Sequence, residues 1–119
     1  MVFIGGGLGS IARFLIAKYA KLYFNTMFPL GTFMANILGC LLIGVFLSLF
    51  EKHSYISREW SLLFATGFCG GFTTFSTFAF ENNTFLQEGN LGFFFLYTLM
   101  SFSIGLGAVM IGAYFGKLI

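Results

Sequence analysis

Thr32, Asn36 and Cys40 recur every fourth residue in one uncharged stretch, so on a helix they share a face, with Gly39 beside them. Asn36 carries the most chemistry of the three. An amide in apolar surroundings must find partners, and its NH2 group can donate two hydrogen bonds while its oxygen accepts. Bonding between helices is its plain role. A second concentration is Gly67-Phe68-Cys69-Gly70-Gly71-Phe72-Thr73-Thr74-Phe75-Ser76-Thr77-Phe78. Adjacent glycines followed by a run of Thr and Ser are poor helix formers, which predicts a break in any helix built here. At membrane depth a broken helix needs cover from protein or an aqueous cavity, and it turns helix ends and free carbonyls toward ions.

Phe75 and Phe78, three apart, share a face of a resumed helix and can offer the positive edges of their rings to a small anion. Core packing is by far the commoner role for Phe in a chain with 19 of them. Tyr97, Ser101 and Gly105 stand at four-residue spacing, with Thr98 and Ser103 nearby, and give a hydroxyl stripe. Such hydroxyls can donate to an anion or bond back to their own helix. Arg13 sits inside the first apolar run, where an arginine costs about 3 kcal/mol or more. It either faces an aqueous vestibule or snorkels and ties down a neighbouring segment. Glu51, Glu59, Glu81 and Glu88 read as marginal, flanking two loops, which leaves Arg13 as the only mid-span charge and favours an anion as the transported species. His53 has no acid or nucleophile fixed beside it, and no phosphate loop, nucleophile elbow or metal motif occurs, so an enzyme is not expected. Cys40 and Cys69 read as small hydrophobes rather than a disulfide or zinc pair.

The elements that must position these residues follow from composition. The 119 residues are 58% hydrophobic and 8% charged, against roughly 25% charged in a soluble domain, and the mean hydropathy is +0.92. An ordinary soluble fold and a disordered chain are both excluded. Residues 22–50, 60–80 and 89–116 carry no charge, and the first 23 form a fourth apolar run. Each is long enough for a helix crossing about 30 Å of hydrocarbon. The expectation is one all-α transmembrane domain over residues 1–119, with four spans near 2–23, 30–50, 59–80 and 90–116 and loops at 25–29, 51–58 and 81–90. The first run opens apolar without a basic lead, so it reads as retained structure rather than a signal peptide.

Lys18 and Lys21 fall at one membrane face, and Lys52, Arg58 and Lys117 at the other, a near balance that permits insertion both ways round. A net charge of +2, thinly scattered, gives no nucleic-acid footprint. Small residues four apart (Gly5/Gly9, Ala35/Gly39, Gly67/Gly71 and Gly112/Gly116) predict close helix packing, within the chain or between copies.

Three clusters together resemble the Fluc/CrcB family of fluoride channels: Gly5-Gly6-Gly7-Leu8-Gly9-Ser10-Ile11-Ala12-Arg13, Gly31-Thr32-Phe33-Met34-Ala35-Asn36-Ile37-Leu38-Gly39, and the run from 67 to 78. The resemblance spans the whole chain. It implies an antiparallel, dual-topology homodimer of four-helix subunits, in the cytoplasmic (inner) membrane, with passive fluoride flow through two narrow pores. Carried onto this sequence, it implies that Asn36 donates to fluoride and that Phe75 and Phe78 offer ring edges. Tyr97, Ser101 and Ser103 would line a polar track, Thr32, Thr77 and Glu81 would lie near the pathway, and Arg13 near a vestibule. It further implies a structural sodium ion at the dimer centre, held by the backbone carbonyls of Gly70 and Thr73 of both copies, and no organic cofactor. Phe14 and Ala35 depart from the family, which often has Tyr and Val there. The other architecture of this size, a small multidrug-type proton-coupled cation exporter, needs a carboxylate in the first span, where this chain has Arg13.

Overall fold

Apolar runs of this length must satisfy their backbone groups internally, and the computed structural model, which describes residues 1–119, is helical with no strand. Helix α1 (Val2–Tyr23) is followed by α2 (Leu30–Lys52). The third segment opens with α3 (Arg58–Ser61), passes without a gap into a π-wound stretch (Leu62–Cys69) and α4 (Gly70–Phe72), and resumes as α5 (Ser76–Gln87). The last helix is α6 (Leu91–Leu118). Four segments are long and apolar enough to cross a membrane: Val2–Tyr23, Leu30–Lys52, Arg58–Gln87 and Leu91–Leu118.

The third segment departs from the sequence expectation. The charge pattern places its end near residue 80 with a loop over 81–90, but α5 continues to Gln87. Phe78, Asn82 and Phe85, at helical spacing, bury one face of α5 and carry the helix through its polar residues. The stop lies at Gly89, whose φ of 73° a side-chain-bearing residue rarely adopts. There Asn90 N–H reaches Phe85 O at 2.8 Å and Gly89 N–H reaches Leu86 O at 3.2 Å, a Schellman closure. Glu81 therefore belongs to a helix interior, not to a loop.

Small residues make two seams inside the chain. On one, a Cβ added at Gly5 or Gly9 would run into the carbonyl oxygen of Leu63 or Phe68, and one at Gly71 into that of Gly6. On the other, Gly44 abuts Val109 O, Gly112 abuts Leu41 O and Gly116 abuts Val45 O. The first seam joins α1 to the third segment and the second joins α2 to α6. Neither is available for pairing with another copy. Only 19 of 119 residues are buried, so most apolar side chains face outward, as on a bundle solvated by lipid. The buried aromatic cluster of Phe78, Phe85 and Tyr97 pins α5 to α6, with Phe28, Phe33, Phe93 and Phe94 packed around it.

Candidate functional site

Between α4 and α5 the chain leaves helical geometry, with Thr73 extended at φ −86° and ψ 156°. Backbone groups freed at such a point need partners from elsewhere. Thr73 donates both its N–H, at 3.0 Å, and its hydroxyl, at 2.9 Å, back to Cys69 O. Thr74 is held by α2. Its N–H donates to Asn36 Oδ1 at 2.7 Å, and Asn36 Nδ2 donates to its carbonyl at 3.1 Å. One amide thus replaces both hydrogen bonds that a continuous helix would have supplied, and it keeps a second N–H free. Thr74 Oγ1 then accepts the Thr77 N–H at 3.3 Å and caps α5. From α1, Arg13 Nε donates to Gly71 O at 3.0 Å, tying the glycine pair to the first helix.

This stretch forms one wall of a cavity of about 580 Å³. Asn36, Cys40, Thr73, Thr74, Phe78 and Ser101 all line it, and so does Phe75. The two rings lie 6.0 Å apart and tilted, but their surroundings differ: Phe78 is 6% exposed and Phe75 is 76% exposed. Thr32, Thr77 and Glu81 line a second cavity of about 470 Å³. Tyr97 connects the two sets. Its ring meets Phe78 edge to face at 4.9 Å, and its hydroxyl donates to Glu81 Oε1 at 2.9 Å. The other oxygen of Glu81 accepts from Thr32 Oγ1 at 3.0 Å. A single carboxylate therefore gathers α2, α5 and α6 through charge-assisted bonds.

The sequence-predicted residues thus fall into two groups, the bridging Tyr97 and two outliers. Asn36, Gly70, Thr73, Phe75, Phe78 and Ser101 meet in the first cavity, and Thr32, Thr77 and Glu81 in the second. Arg13 is half-buried and anchored to Gly71 O, the tie-down its side chain allows. Ser103 is exposed and lines neither cavity, because two residues turn an α-helix by about 200° from Ser101. Glu81 corrects the sequence expectation directly. It is half-buried in the interior of a helix and not at a loop margin, so the placement on which the inference that no acid lies mid-span partly rested does not hold. Sequence reasoning also missed the clamp on Thr74 and the entry of both cysteines into the cavity lining. The four-residue spacing of Asn36 and Cys40 was the available clue to the second.

A family profile described as "CrcB-like protein, Camphor Resistance (CrcB)" matches residues 1–113. The chain belongs to the CrcB family. It is 45% identical over 117 residues to a protein of Gloeothece citriformis named fluoride-specific ion channel FluC, with 98% of this chain and 94% of the relative covered. Proteins of the same name from Bacteroides fragilis and Flavobacterium psychrophilum are 46% and 43% identical, over 119 and 114 residues. Those alignments cover 98% and 96% of this chain and 93% and 92% of the relatives. As a CrcB protein with four membrane-capable helices, it is a multi-pass membrane protein.

Proposed function

We propose that this CrcB chain is a fluoride-selective channel that lets fluoride leave the cell passively across the cytoplasmic membrane and so protects against fluoride toxicity. The observation that carries this reading is the lining of the first cavity, considered with the names of the relatives. Asn36 brings an unspent amide N–H, Ser101 a hydroxyl, and Phe75 and Phe78 two rings, all facing one space. A small anion entering apolar surroundings must exchange its water for such donors, and ring edges add positive quadrupole without a full charge that would trap it. The proton-coupled cation exporter has no comparable support. Both oxygens of Glu81, the acid gathered between α2, α5 and α6, are already taken by Tyr97 and Thr32.

The channel works as an antiparallel homodimer in this reading. Two features support it: the near balance of Lys18 and Lys21 against Lys52, Arg58 and Lys117, and an open cavity with polar groups in its wall, where Asn36 and Thr74 cannot be left uncovered to lipid. The sodium site is tested by the state of its oxygens. Neither Gly70 O nor Thr73 O is taken by a turn, loop or side-chain donor, whereas Gly71 O between them is held by Arg13. Free carbonyls suit a hard cation, so Gly70 and Thr73 of two copies would hold Na⁺, which would supply a fixed positive charge joining the subunits.

The cellular test is growth on fluoride of a bacterium lacking its own fluoride exporter. Expression of this chain should restore growth on fluoride, and equal sensitivity with and without the membrane-inserted chain would overturn the reading. Dual topology is tested by labelling a terminal tag from outside intact cells. About half the tags should react; all or none would remove the antiparallel arrangement.

A further inference from the structure

We propose that the Thr74 hydroxyl is a positioning group for the cation site: it keeps the Thr73 carbonyl free to face a sodium ion without touching the ion itself. The inference rests on the reading of Gly70 O and Thr73 O as sodium ligands, and it concerns what holds those oxygens open.

In an unbroken helix each carbonyl accepts the N–H of the fourth residue onward. Gly70 O would receive the Thr74 N–H, Gly71 O the Phe75 N–H, and Thr73 O the Thr77 N–H. None of the three bonds forms, and a side chain stands in at each. Asn36 Oδ1 takes the Thr74 N–H at 2.7 Å, which frees Gly70 O. Arg13 Nε occupies Gly71 O at 3.0 Å. Thr74 Oγ1 takes the Thr77 N–H at 3.3 Å, which frees Thr73 O.

The hydroxyl of Thr74 is fully engaged in this task. Besides accepting the Thr77 N–H it donates to Thr77 Oγ1 at 3.3 Å, with Ser76 Oγ 3.4 Å away. Thr74 lines the first cavity, yet its only O–H is spent on its own segment rather than on an ion in transit. Thr73 is extended, with ψ 156°. A bond from the Thr77 N–H to its carbonyl requires ψ of about −42°, which swings that oxygen along the helix axis and away from its present direction. Without the hydroxyl, the Thr77 N–H has lost its acceptor in apolar surroundings, where backbone donors must be satisfied. Thr73 O is the acceptor that helical geometry offers. The site then loses one oxygen from each copy, while Asn36 still holds Gly70 O open.

The test uses the purified full chain, prepared without sodium. Thermal unfolding in detergent is compared in sodium chloride and in N-methyl-D-glucamine chloride of equal ionic strength. An ion bound only by the folded state raises the unfolding temperature. The parent should therefore unfold at a higher temperature in sodium, and Thr74→Ser, which retains the hydroxyl, should show the same rise. Thr74→Val, which keeps the shape and drops the hydroxyl, should lose it. If the hydroxyl were only a helix cap, Thr74→Val would be less stable by the same amount in both salts, with the sodium-dependent rise intact, and that result would overturn the proposal. Hydrogen exchange gives a second readout: the Thr77 amide should stay protected in Thr74→Val, now bonded to Thr73 O, and rapid exchange there would also overturn it. Should Thr74→Val fail to fold, Thr74→Ala carries both readouts. A parent with no rise in sodium would remove the sodium reading and the proposal together, whereas a rise that survives in Thr74→Val removes the proposal alone.

Discussion

Replacing Asn36 by Asp changes one atom at the clamp and separates what Asn36 does for the fold from what it does for an ion. The Nδ2 that donates to Thr74 O at 3.1 Å becomes an oxygen, while the bond from Thr74 N–H to Oδ1 at 2.7 Å survives on a charged acceptor. The lost donor leaves the Thr74 carbonyl unpartnered at a cost of about 1–3 kcal/mol, partly offset by the stronger remaining bond. The effect on an anion is larger. At an effective dielectric of about 20, a carboxylate about 4 Å from fluoride costs about 4 kcal/mol, or roughly a thousandfold in occupancy. The variant should therefore still purify as a folded protein, with a modestly lower unfolding temperature in detergent, and show fluoride efflux near the empty-liposome rate. A folded Asn36→Asp protein with near-parental efflux would refute the assignment of Asn36 to the ion route.

Phe75→Ile should slow fluoride efflux with little change in unfolding temperature. The ring is 76% exposed, and substitutions outside the core usually shift stability by about 0.5 kcal/mol or less. Unchanged efflux would reduce this ring to packing. Tyr97→Phe keeps the ring against Phe78 and Phe85 but removes the donor to Glu81 Oε1, so thermal unfolding should report a loss of about 1–3 kcal/mol. That loss should shrink in a Glu81→Ala background, which has no acceptor; an identical cost in both would show that the two side chains do not interact. Gly112→Ala places a methyl against Leu41 O on the seam between α2 and α6 and should cost about 1–3 kcal/mol. A variant as stable as the parent would mean that the seam can open freely.

Four membrane-capable helices are legible in the sequence because charge is too costly to leave in hydrocarbon, and the gaps between charges mark the spans. The end of the third is not. Glu81, Asn82 and Asn83 look like a loop by composition, yet Asn82 keeps helical register with Phe78 and Phe85, and burial of that face outweighs the local preference. Glycine spacing announces close packing, but only the folded chain reveals that Gly5 and Gly9 meet the third segment and that Gly112 meets α2. Asn36 stands out by type and position, whereas its partner is a backbone 38 residues away, which no local pattern encodes. Glu81 draws its donors from 49 and 16 residues away, so its environment is equally invisible along the chain. Ser103 is the opposite case: helical periodicity alone sets it about 200° from Ser101 and off the stripe.

The most direct test of the central claim is ion efflux from liposomes holding only this purified chain, read with a fluoride electrode and, on matched vesicles, a chloride electrode. Rapid loss of fluoride with chloride retained is the predicted result. Equal loss of both ions, or loss of neither, would contradict a fluoride-selective channel built from this chain.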